Sequence, residues 1–219
     1  MQNHLKVILI LIFCFSCQNQ LSPEKQKQAD QGLFDAVRLE GASVLKLEAA
    51  LKNGANLEAL DEGGNTVLHW SAAARNPDLA AYLLEKGLSP KIINHQGQSA
   101  LHWSFLYGDP ILAALLEDHG LSLEDPDSVG FRPLHLAVAG GQIEMAKILL
   151  EKKVKIDPVS LEGITPLMIA SHNGRSDLVK LLLIAGANIQ LKDNQGNNSL
   201  ILAEESGDIQ TLNLLKSQK

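Results

Sequence analysis

Apolar and polar positions between residues 60 and 219 follow an order that returns every 33 residues. Leu68, Leu101, Leu134, Leu167 and Leu200 mark the step, and each stands four residues after a glycine of the series Gly64, Gly97, Gly130, Gly163 and Gly196. Each unit reads as a polar turn, a short apolar run, a small turn, and a second run with leucine at helical spacing, as in Leu178, Leu181 and Leu182. The pattern predicts two short helices per unit. A second comb, Gly108, Gly141, Gly174 and Gly207, has Arg75 in its first place, and a third, Gly54, Gly87, Gly120 and Gly186, is broken by Lys153.

Local signals agree with this division. Thr66, Ser99 and Thr165 offer hydroxyls to cap the first helix, and Pro133 and Pro166 sit where a missing amide hydrogen does no harm. The pairs Asn76-Pro77 and Asp109-Pro110 start the second helix, and the third glycine comb closes it in a left-handed turn. Lys153 in that turn costs about 1 kcal/mol and predicts a looser closure there. Helices this short cannot bury their apolar faces alone, so the units must stack and share one core.

Residues 165–170, TPLMIA, and 130–137, GFRPLHLA, with the variants TVLHWSA at 66–72 and SALHWS at 99–104, resemble the ankyrin repeat over residues 32–219. The resemblance implies an all-α ankyrin-repeat solenoid of about six helix-pair repeats with short β-hairpin or turn fingers, in units of about 32–60, 61–93, 94–126, 127–159, 160–192 and 193–219. The first unit lacks the hairpin and is expected to cap the stack; the last ends in polar Lys216, Gln218 and Lys219. The family likeness implies a scaffold for protein–protein interaction, acting as a monomer and binding another protein on a concave face of finger tips and inner helices. It places Glu62, Asn65, Gln96, Gln98 and Asn194 at polar tips, and Val129, Phe131, Leu161 and Ile164 at apolar ones. Exposed apolar clusters and aromatic anchors often mark partner sites, so Phe131, Tyr107 and Ile164 are the expected hot spot. The competing arrangement has Phe131 folded back over its own hairpin.

The first thirty residues stand apart from this repetition. Residues 7–15, VILILIFCF, follow a start that carries Lys6; the run is short of the ~20 apolar residues that span a bilayer and reads as a secretory signal. Phe15-Ser16-Cys17 before polar Gln18-Asn19-Gln20 resembles a bacterial lipoprotein signal, which implies residues 1–16 as signal peptide and acylation at Cys17. Position 14 is Cys where that family usually has Leu, and the alternative is an ordinary signal peptide cut near Ser16. Polar residues 17–31, with Pro23, read as a flexible tether. An exported lipoprotein of the bacterial cell envelope, facing the periplasm or exposed on the outer membrane, is the localisation that follows.

Composition narrows the chemistry. The formal net charge of −6 argues against a phosphate-binding surface and hence against nucleic acid. The two cysteines lie at 14 and 17, which leaves the repeats no disulfide or thiol nucleophile. His69, His102 and His135 form a ladder, but helices about 8–10 Å apart cannot bring two rings to the ~2.1 Å that zinc requires. The family likeness assigns these histidines instead to ties between neighbouring loops; His95, His119 and His172 sit at non-equivalent places in their repeats and read as surface residues. Trp70 and Trp103 read as bulky core residues, and Glu124, Asp125 and Asp127 as an exposed acidic loop. No nucleophile elbow, Walker loop or dinucleotide fingerprint occurs, so no enzyme, cofactor, metal or small-molecule substrate is expected. The second functional reading uses the same face to inhibit or protect a periplasmic or host enzyme.

Overall fold

The computed structural model describes residues 21–38 and 43–217, so the apolar run 7–15 and Cys17 lie outside the described residues. The chain divides into two units, one ending at Ala59 and one beginning at Leu60. Among the described residues all regular structure is helical, and none of the helices is long and apolar enough to cross a membrane.

The first unit pairs α1 (Pro23–Arg38) with α2 (Val44–Lys52). This corrects the tether expected at 17–31, because residues 23–31 are helical and α1 begins well before position 32. The start is set by Ser22 and Pro23. The Ser22 carbonyl accepts from the Gln26 amide at 2.8 Å, its hydroxyl from Lys25 at 3.4 Å, and proline occupies the first turn. The polar residues also have structural work. Gln26 Nε2 donates to Asp30 and to the Gly54 carbonyl, and Asp30 accepts the Asn56 amide at 2.7 Å. Leu33, Phe34, Val37 and Leu47 are buried.

The second unit holds five helix pairs: α3 (Val67–Ala73) and α4 (Pro77–Glu85), α5 (Ala100–Tyr107) and α6 (Pro110–Asp118), α7 (Pro133–Ala139) and α8 (Ile143–Glu151), α9 (Pro166–His172) and α10 (Ser176–Ile184), α11 (Ser199–Ser206) and α12 (Ile209–Lys216). The first helix of each pair packs on the first helix of the next, which makes α3, α5, α7, α9 and α11 an inner row. Leu68, Leu101, Leu134 and Leu167 are at most 1% exposed in that row, and burial of one such side chain stabilises by roughly 2 kcal/mol. Leu200, the last of the series, is half-buried, in the last helix pair among the described residues. Outer leucines at 79, 83, 112, 116, 149, 178 and 182 complete the core.

Turn chemistry follows the sequence closely, with one correction. Lys153 takes the left-handed conformation (φ 60°), as Gly87, Gly120 and Gly186 do. Its turn keeps the same bonds: Lys153 N donates to Leu150 O at 3.0 Å and Val154 N to Leu149 O at 3.3 Å. The closure is therefore not looser; the neighbouring packing holds a strained residue in place.

Candidate partner-binding face

The fingers that precede the inner helices are tight polar turns, built alike. Position 61 and its equivalents each accept two backbone amides, two and four residues on. Asp61 takes Gly63 and Asn65, Asn94 takes Gln96 and Gln98, Asp127 takes Val129 and Phe131, Ser160 takes Glu162 and Ile164, and Asp193 takes Gln195 and Asn197. The same residue's amide donates back across the turn, as from Asp127 to the Phe131 carbonyl at 2.8 Å. Sequence reading passed over this fourth comb, although Asp, Asn or Ser recurs there in all five fingers. Asp127 is consequently a buried brace rather than part of an exposed acidic loop. Glu124 from the same stretch bonds Arg132 at 2.8 Å and the Lys155 amide.

Successive fingers are joined through their main chains. His95 N donates to Gly63 O, Ser128 N to Gln96 O, Leu161 N to Val129 O and Asn194 N to Glu162 O, each at 2.9 Å. The histidine ladder adds a second tie. In His69 and His135, Nδ1 accepts the amide of the residue three before it, at 3.1 Å in both. That fixes the remaining proton on Nε2, which donates to Gln98 O and Ile164 O of the next unit at 2.9 and 3.0 Å. His102 does likewise toward Asp125 O at 3.0 Å. Burial holds all three below the ordinary imidazole value, against the raising effect of the carbonyls, with His135 pushed down to about 4. They are structural ties. His95, His119 and His172 are exposed.

The tryptophans also bond to the fingers. Trp70 Nε1 donates to Asp61 and Trp103 Nε1 to Gln98, both at 2.9 Å. Their rings meet edge to face at 5.5 Å, and Trp103 continues to Tyr107 at 5.7 Å. Trp103 is buried as expected, whereas Trp70 is only half-buried. The Asp61 carboxyl lies below its usual range: burial raises it, and hydrogen bonds from the Asn65 amide, the Trp70 indole, the Asn65 side chain and the Gly63 amide outweigh that.

The expected contact residues separate into two groups. Val129 (51% exposed), Leu161 (74%) and Tyr107 (39%) present apolar surface, and Glu62, Gln96 and Asn194 are also exposed. Asn65 is a correction: it is buried, donating to Asp61 and accepting from Asn94 Nδ2 at 2.8 Å. Gln98 is another, because it accepts from Trp103 while donating to Asp127 at 3.0 Å. Phe131 takes the folded-back arrangement, its ring stacked on His135 at 5.0 Å and half-buried. Ile164 is half-buried as well. The apolar surface at the tips therefore centres on Val129 and Leu161. Among the described residues no group of three or more His, Cys, Asp or Glu is placed to hold a metal ion.

The chain matches the family described as ankyrin repeats (3 copies) over residues 33–127, 88–160 and 134–219. It matches no curated protein.

Proposed function

We propose, from the premise that this chain belongs to the ankyrin repeat family, that its row of fingers and inner helices is the surface on which it holds a partner protein. Ankyrin repeats are typically non-enzymatic scaffolds for protein–protein interaction. The observation that carries the choice of face is the pair Val129 and Leu161, exposed at adjacent finger tips whose main chains are bonded to each other. Apolar side chains held rigidly at a surface lose little conformational entropy when a partner covers them.

Cys17 and the apolar run before it support the further reading that the scaffold is exported and held at a membrane by acyl chains. With α1 starting at Pro23, five residues separate that cysteine from the first helix. At about 3.5 Å per residue they span at most about 18 Å, so the first unit would lie near the lipid surface.

Two experiments test these readings. A photo-crosslinking residue replacing Leu161 should capture a partner in the native cells, while one replacing exposed Ile184 on outer helix α10 should not; equal yields would remove the face. Mass analysis of the mature amino terminus should find an acylated Cys17, and Cys17→Ala should move the protein to the soluble fraction. An unmodified terminus would remove the anchor.

A further inference from the structure

Charge is divided unevenly over the second unit. The fingers 61–65, 94–98, 127–131, 160–164 and 193–197 carry Asp61, Glu62, Asp127, Glu162 and Asp193, and neither they nor the inner helices α3, α5, α7, α9 and α11 contain a single Lys or Arg. The cations lie outside these segments: Lys86, Lys147, Lys152, Lys153, Lys180 and Lys216 belong to outer helices or the turns that close them, Lys91, Lys155 and Lys192 to the loops that lead into the fingers, and Arg75 and Arg175 to the turns that join inner to outer helices. Arg132, which lies between finger and helix, is neutralised by Glu124 at 2.8 Å. Some of the finger carboxylates serve the turns themselves, but Glu62 and Glu162 are exposed at the tips. Glu162 directly follows Leu161 in the chain, and Leu161 is bonded through its backbone to Val129.

We propose that this face seats a basic segment of the partner, one in which Lys or Arg alternates with apolar side chains. The apolar residues would cover Val129 and Leu161, and the cations would lie against Glu162, Glu62 and the exposed ring of Tyr107. This rests on the choice of the finger face made above and specifies what it takes. A cation is favoured there for two physical reasons. The face opposes an acidic segment with like charges only, while it offers a basic one complementary charge that speeds encounter. Tyr107, 39% exposed and backed by the Trp103 ring at 5.7 Å, offers a π surface that attracts ammonium or guanidinium groups. Exposed carboxylates act through solvent, so the attraction must weaken with salt.

The test uses the full chain and three labelled synthetic peptides of equal length, alternating Leu with Lys, Leu with Ser, and Leu with Glu, read by fluorescence anisotropy. The Lys peptide should bind at least about tenfold tighter than the Ser peptide, a ratio worth about 1.4 kcal/mol, and lose that advantage in high salt. Glu162→Gln combined with Glu62→Gln should weaken the Lys peptide several-fold and flatten its salt dependence. Glu151→Gln, on outer helix α8, should leave it unchanged. Equal binding of the Lys and Ser peptides overturns the basic-segment inference, as does equal loss from Glu151→Gln, which would mark non-specific attraction to an acidic protein. The two readings separate at Leu161. If Leu161→Ser abolishes binding of all peptides without a charge preference, the face stands and the basic partner falls. If the Lys and Ser peptides bind equally, Leu161→Ser leaves that binding unchanged and crosslinking from Leu161 fails, both fall.

Discussion

The amide of Leu161 donates to the carbonyl of Val129 at 2.9 Å, so the main chain alone holds two apolar finger tips side by side. Their side chains, 74% and 51% exposed, are left for other contacts. Replacement of both by serine should accordingly change stability by no more than about 0.5 kcal/mol, as for ordinary surface positions. Urea unfolding measures this. A loss above about 1.5 kcal/mol would mean that the tips are packed against the protein itself.

Gly130 shows how closely the fingers approach. At φ 87°, a Cβ there would lie 2.9 Å from the Leu161 amide nitrogen and 3.1 Å from Ser160 Cα. Gly120 has nearly the same φ, 83°, but open space around it. Gly120→Ala should cost only the left-handed strain, about 1–2 kcal/mol, and Gly130→Ala clearly more. Equal losses in calorimetry would mean that the finger junction yields freely.

Lys153 holds a conformation suited to glycine. Lys153→Gly should raise stability by about 0.5–1 kcal/mol, the relieved strain exceeding the added freedom of the unfolded chain. A lowered melting temperature would show that the lysine side chain contributes more than its backbone costs.

The His135 tie makes stability depend on pH. Burial holds its folded pKa at about 4, below the ordinary 6.5, so folding favours the neutral ring. The stabilisation is complete above pH 6.5 and is lost as pH falls toward about 4, by at most ~1.4 kcal/mol per pH unit for this residue. His69 and His102 shift in the same direction and add to the slope. His135→Gln should be less stable at neutral pH and should lose stability less steeply over that window. An unchanged slope would assign the acid sensitivity elsewhere.

The helix pairs of the second unit were legible because period, caps and leucine spacing are local properties, repeated often enough to reinforce one another. The start of α1 was less so. Ser22, Pro23 and Glu24 spell a helix start, yet Lys25 to Gln31 carries few apolar residues, and its polar side chains find their purpose only against Gly54 and Asn56. Of the proposed contact surface only the positions were legible. Val129, Leu161 and Tyr107 are exposed, while Asn65, Gln98 and Phe131 are turned inward.

By itself, then, the sequence determined the repeat, the turn types, the buried leucine rows and the absence of cations from fingers and inner helices. Which finger side chains remain outside was decided by tertiary structure alone. An Asn at a tip can equally face solvent or a neighbouring unit, and the choice depends on a partner 29 residues away, Asn94 for Asn65. No local pattern encodes that distance; stacking one unit on the next creates it.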